Sequence, residues 1–122
     1  VLKNIEDKIL LAILPTRRDS VPQSLTVENG CIEAPEINFN CFVFAPHTEV
    51  TKCGKCFDFP THLYGSQIDD YDIKLIHKTY PHAGKDYILW GKMKPHLYTK
   101  VIECFKTSRV IKRKYRRVLC ED

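Results

Sequence analysis

The hydrophobic positions of this chain change period twice. In residues 1–14, Leu2, Ile5, Ile9 and Ile13 fall on one face, Glu6 and Asp7 occupy the early turns, and Pro15 ends the run. That spacing predicts a helix, although the β-branched content also suits a strand. Residues 15–24, with two prolines and a cluster of charges, read as a loop or linker between this N-terminal element and a body over residues 25–122. From Leu25 the period becomes two. Leu25–Glu33 reads as a strand or short hairpin turning at Asn29-Gly30, and Ile37, Phe39, Cys41 and Val43 alternate with Asn38 and Asn40 until Pro46. Thr48–Phe59 is expected to be extended, Pro60–Asp70 a loop, and Asp70–Tyr80 a strand with Tyr71, Ile73 and Leu75 inward. Pro81-His82-Ala83-Gly84 is a turn, and Tyr87–Trp90 and Leu97–Phe105 are the next two strands. Beyond Phe105 the period returns to helical. Thr107 or Ser108 can cap a helix, and Ile111, Tyr115, Val118 and Leu119 form its apolar face.

Short strands with little room for crossover helices predict a mainly β domain, an antiparallel sheet or closed barrel with a C-terminal helix and an N-terminal helix or strand. The 122 residues suffice for one domain that buries about two thirds of its unfolded surface. No apolar run approaches the roughly 20 residues that span a bilayer.

Six cysteines in a chain this short, Cys31, Cys41, Cys53, Cys56, Cys104 and Cys120, read as three disulfides of an oxidising compartment, with fifteen pairings open. The alternative, a zinc site on Cys53-Gly-Lys-Cys56, needs a second close ligand pair, and Cys104 and Cys120 have no nearby His. A thioredoxin-like role for the same motif would require a helix after it, whereas Phe57-Asp58-Phe59-Pro60 continues extended. The cysteines thus set the expectation of a secreted, extracellular protein; the chain starts at Val1 without a signal-peptide pattern, so a secretion signal, if one existed, is expected to be gone already.

Charge is concentrated in one place. Lys106, Arg109, Lys112, Arg113, Lys114, Arg116 and Arg117 lie together with no acid between Glu103 and Glu121. They are seven of the 19 basic residues; the remaining 12 stand against 15 acids, so the rest of the chain is negative while the whole carries +4. Such a cluster in a secreted protein points to an acidic partner surface or a heparan sulfate-type glycosaminoglycan. The bland alternative is a solvated helix face. Nucleic acid fits poorly, because no aromatic residues interleave the charges as a stacking platform. His47, His62, His77, His82 and His96 are scattered, Asp69, Asp70 and Asp72 read as acids on the outer face of a strand, and no nucleophile–base pair or phosphate loop emerges. No cofactor, metal or catalytic residue is therefore assigned.

The order of elements resembles netrin-like modules, the family of tissue inhibitors of metalloproteinases and of the C-terminal domains of netrins and complement components. Four stretches within residues 60–122 carry the resemblance: Tyr71-Asp-Ile-Lys74, Gly84-Lys-Asp-Tyr-Ile-Leu-Trp-Gly91, Val101-Ile-Glu-Cys104 and Leu119-Cys-Glu-Asp122. The resemblance implies a five-stranded OB-fold barrel stapled by three disulfides, with Cys104 and Cys120 paired to cysteines among Cys31, Cys41, Cys53 and Cys56. Metalloproteinase inhibitors of the family begin with a Cys-x-Cys that chelates the catalytic zinc. Here the first cysteine is Cys31 and no Cys-x-Cys exists, so the scaffold would persist without that chemistry. The expected function is a secreted, non-enzymatic binding protein that recognises an extracellular protein or glycosaminoglycan through its basic helix. The alternatives are a protease inhibitor acting through another surface, and a signalling or immunomodulatory ligand of another disulfide-rich β class.

Overall fold

Phe39-Asn-Cys-Phe-Val-Phe44 is apolar at every position but one, the pattern of a strand covered on both faces. In the computed structural model, which describes residues 2–5, 8–12, 30–87 and 89–120, this segment is β4 (Phe39–Phe44). It is the centre of an antiparallel sheet between β3 (Gly30–Ala34) and β5 (Thr61–Tyr64). One face of the sheet forms a small cluster of Ile32, Cys41, Val43 and Tyr64; Phe42, Phe44 and Leu63 enter the main core. Gly65, just after β5, is required by close approach, since a Cβ there would lie 2.4 Å from Asn40 Oδ1.

A second antiparallel sheet takes the order β1 (Lys3–Ile5), β2 (Lys8–Leu11), β6 (Asp69–Asp72). Of the helix or strand expected at the N-terminus, the structure has the strand, as an antiparallel pair. Its backbone groups find partners across the ladder, Lys3 opposite Leu10 and Leu10 opposite Asp70, and Leu2 and Leu10 are buried in the main core. Strand partners brought by the rest of the fold outweigh a helical stripe of modest propensity. Glu6, Asp7, Ile13, the linker over 15–24 and the start of the expected hairpin as far as Asn29 lie outside the described residues.

The strand expected over Asp70–Tyr80 stops at Asp72. Asp72 Oδ1 accepts from the backbone N–H of Lys74 (2.8 Å) and Leu75 (3.3 Å) and so caps α1 (Ile73–Thr79). Leu75, expected inward, is 62% exposed. The second correction is larger. Leu97–Phe105, expected as a strand, lies in α2 (Pro95–Lys106), which opens on a proline and buries Leu97, Val101, Cys104 and Phe105. Those four positions follow i, i+4, i+7 and i+8, so helical periodicity prevailed over the β-branched composition. Pro60–Asp70, expected as loop, supplies β5. Thr48–Phe59 turns at Gly54 (φ +87°) and contributes one bridge, Thr51 to Met93. Tyr87 makes an isolated bridge to Ala83, and Ile88 lies outside the described residues.

The C-terminal helix is present as α3 (Arg113–Cys120), burying Tyr115 and Leu119. Neither expected cap begins it: Thr107 ends α2, and Ser108 lies in the connection. The described residues thus form two three-stranded antiparallel sheets and three helices, and the strands are not joined into one closed barrel. One disulfide, Cys31–Cys104, joins β3 to α2 across 73 residues of chain. The other two expected bridges are not formed. Cys41 is buried in the small cluster, Cys53 and Cys120 are exposed, Cys56 is half-buried, and all four carry free thiols.

Candidate polyanion-binding surface

The basic run is divided by the end of α2. Lys106 belongs to the last turn of α2, where its Nζ lies 2.8 Å from Glu103 Oε1, so its charge is offset locally. Arg109 follows in the connection, and Lys112 to Arg117 form the start and body of α3. Arg109, Lys112, Arg113, Lys114 and Arg117 are exposed and Arg116 is half-buried. Among the described residues none of these six makes an ion pair. Arg116 also has its Nε buried with no hydrogen-bond partner there.

Three attachments fix this surface. The Cys31–Cys104 disulfide holds the last turns of α2 against β3. Glu33, also on β3, then organises the connection: Oε1 accepts from Ser108 Oγ (2.7 Å) and Asn40 Nδ2 (3.1 Å), and Oε2 accepts from the Arg109 backbone N–H (2.8 Å). Ser108 Oγ in turn accepts from the Val110 N–H (3.0 Å). Third, Tyr115 crosses from the buried side of α3 and donates its hydroxyl to Asp69. That bond holds the Asp69 carboxyl below its usual range, and burial first, then Asp69, push the Tyr115 phenol above its own. Lys112 adds a weaker attraction to Asp69.

Among the described residues, the acids around α3 and its connection are already engaged. Glu33 serves backbone and hydroxyl donors, Asp69 serves Tyr115, and Asp70 lies 3.7 Å from Lys8. Lys112, Arg113, Lys114 and Arg117 are left exposed, a local positive field on a chain otherwise slightly negative. No protein-family model, curated protein or solved structure matches this chain.

The remaining candidate chemistry does not converge. Among the described residues, no three His, Cys, Asp or Glu side chains gather where a metal ion could sit. No described helix is long and apolar enough to cross a membrane. His47, His77, His82 and His96 are exposed, and His62 stacks on Tyr64 at 5.8 Å between ring centroids. Asp72 caps α1, Asp70 lies beside Lys8 and Asp69 is tied to Tyr115, so each of the three acids has a structural partner.

The Cys-x-x-Cys segment forms a tight turn. The Gly54 N–H donates to the Thr51 carbonyl (3.0 Å) and the Val50 N–H to the Lys55 carbonyl (2.8 Å). Exposed Cys53 has its Sγ 3.2 Å from Thr51 Oγ1; that hydroxyl first, and the Lys55 charge second, set its thiol below the ordinary range against an opposing effect of burial. Cys41 is the opposite case, pushed by burial up to about 11.

Sequence reading located the basic residues but not the side chains that aim them. Glu33 and Asp69 lie 76 and 46 positions from the groups they hold, and no local spacing signals such contacts.

Proposed function

We propose that this chain is a secreted, non-enzymatic binding protein whose α3 face recognises a polyanionic extracellular partner, a heparan sulfate-type glycosaminoglycan or an acidic protein surface of similar charge density. The observation that carries the reading is the set of six cations, none in an ion pair among the described residues, on a connection and helix held in place by a disulfide, a carboxylate network and a tyrosine. A solvated face needs no such fixing. A recognition face gains from it, because residues already ordered lose less entropy on binding.

The Cys31–Cys104 bridge supports an oxidising compartment. That bridge and the basic terminal helix also support a netrin-like reading with an OB-type barrel; the division of the strands into two sheets and the helix at Pro95–Lys106 weigh against it.

Affinity for a polyanion through these cations rests on counterion release and falls steeply with salt. Replacing Lys112, Arg113, Arg116 and Arg117 with alanine is expected to shift elution from immobilised heparin to lower salt. On the scale of roughly 0.9 per neutralised charge, the log–log salt slope should shrink by about three to four. Replacing four exposed lysines elsewhere, Lys74, Lys78, Lys85 and Lys100, with alanine removes the same charge and is the control. Equal loss of retention in both sets would reduce the effect to overall charge and overturn the α3 assignment.

A further inference from the structure

We infer that the chain carries a second, separate site: an apolar cavity that binds a small amphipathic anion, an acyl chain or flat hydrocarbon bearing one carboxylate. The cavity encloses about 570 Å³, within the range of roughly 300–1,000 Å³ typical of small-molecule pockets. It lies where elements distant in sequence meet. Phe44 of the central sheet and Val101 of α2 line it from the core, Ala12 from the N-terminal strands, and Phe57 and Trp90 from the two loops. Phe57 and Trp90 are stacked, 5.0 Å between centroids and 17° between planes, and form a flat aromatic wall. Trp90 remains 38% exposed and the adjoining Leu89 83% exposed. Contiguous apolar surface left open beside a cavity is one mark of a ligand-binding groove.

The polar groups decide the ligand class. Besides the Trp90 indole, three lining side chains are polar, and two of these are already committed: the Tyr98 hydroxyl donates to the Leu2 carbonyl, and Thr51 Oγ1 accepts from the Lys55 N–H (2.9 Å) and contacts Cys53 Sγ. The third is Lys92, exposed and without an ion pair among the described residues. Two further lysines lie nearby. Lys55 places its Nζ 5.8 Å from the centre of the Trp90 ring, and the Lys52 N–H donates to the Lys92 carbonyl (2.8 Å). Lys94, the next cation along, is neutralised by Glu49 at 2.7 Å. The cavity therefore presents apolar walls with uncompensated positive charge beside them. A ligand that complements it has a hydrocarbon body and an anionic end; a neutral lipophile would leave the lysines unused, and a polyanion would leave the cavity empty.

The test uses Trp90, the single tryptophan of the chain, as reporter. Saturated carboxylates from octanoate to dodecanoate are titrated below their micellar concentrations, with fluorescence and calorimetry read together. Saturable one-to-one binding is expected, strengthening about fourfold per methylene. Lys92→Glu should weaken dodecanoate at least tenfold and leave dodecanol unchanged. Ala12→Phe, which fills the cavity, should weaken both ligands. Far-UV circular dichroism confirms that each variant is folded, and unchanged heparin retention keeps the result separate from the α3 surface. No saturable heat or fluorescence change at any chain length, equal affinity for dodecanol and dodecanoate, or indifference to Lys92→Glu would each overturn the proposal.

Discussion

Cys41 and Cys53 are the same side chain in opposite surroundings, and the contrast gives the sharpest residue-scale prediction. Cys41 is fully buried on β4 among Ile32, Val43 and Tyr64, where no water stabilises a thiolate, and its pKa rises to about 11. Cys53 projects from a turn, with the Thr51 hydroxyl beside its sulfur and Lys55 close by, and both favour the thiolate. At pH 8 a thiol of pKa 11 is about 0.1% ionised, against about a quarter for an ordinary cysteine near 8.5. Iodoacetamide at pH 8 should therefore modify Cys53 first, and Cys41 more than about 100-fold more slowly than an exposed thiol until denaturant is added. Peptide mass spectrometry of a timed series checks this. Rapid native labelling of Cys41 would show that the small cluster opens readily.

At the scale of elements, α3 is held by packing of Ile111, Tyr115 and Leu119 and by the bond from Tyr115 to Asp69. A carboxylate whose folded pKa is depressed adds stability that is fully present above its unfolded value, about 3.9, and is lost as pH falls through the folded one. Asp69 is exposed, so the effect is screened and modest. Tyr115→Phe keeps the ring and removes the donor. It is expected to cost about 1 kcal/mol at neutral pH and to lessen the loss of stability below pH 4, read from urea midpoints across pH. An acid limb as steep as that of the parent would mean that other carboxylates carry it. Helix α3 was legible in the sequence from the apolar series Ile111, Tyr115, Val118 and Leu119, with no competing strand signal, although Ile111 lies before the helix, which begins at Arg113. Helix α2 carries the same spacing at Leu97, Val101, Cys104 and Phe105, but Val101 and Ile102 also satisfy a strand pattern, and only burial against the sheets decides between them. At the N-terminus helix and strand both fit the local pattern, because the partner that decides for strands, β6, lies about 60 residues away. The basic surface was visible as composition, whereas the aromatic cavity arises from segments that no local pattern connects.

For the whole molecule, the question is what keeps two small sheets and three short helices in one arrangement. Leu2, Phe42, Phe105 and Tyr115, drawn from both ends of the chain and its middle, share one core, so each element depends on distant ones. The Cys31–Cys104 bridge spans 73 residues and joins β3 to α2 inside that arrangement. Closing a loop of this length restricts the unfolded chain, worth about 4 kcal/mol in the chain-entropy account. Domains of this size are stable by only about 5–15 kcal/mol, so the bridge supplies a large fraction of the total. Replacing Cys31 and Cys104 together with serine is expected to lower the urea midpoint by an amount equivalent to about 2–4 kcal/mol. It should also weaken heparin retention, since the end of α2 positions Ser108 and Arg109 for Glu33. Alkylating Cys53 alone should leave both properties unchanged. A double-serine variant with the parental midpoint would show that the shared core and the Glu33 network hold α2 and α3 in place without the covalent tie.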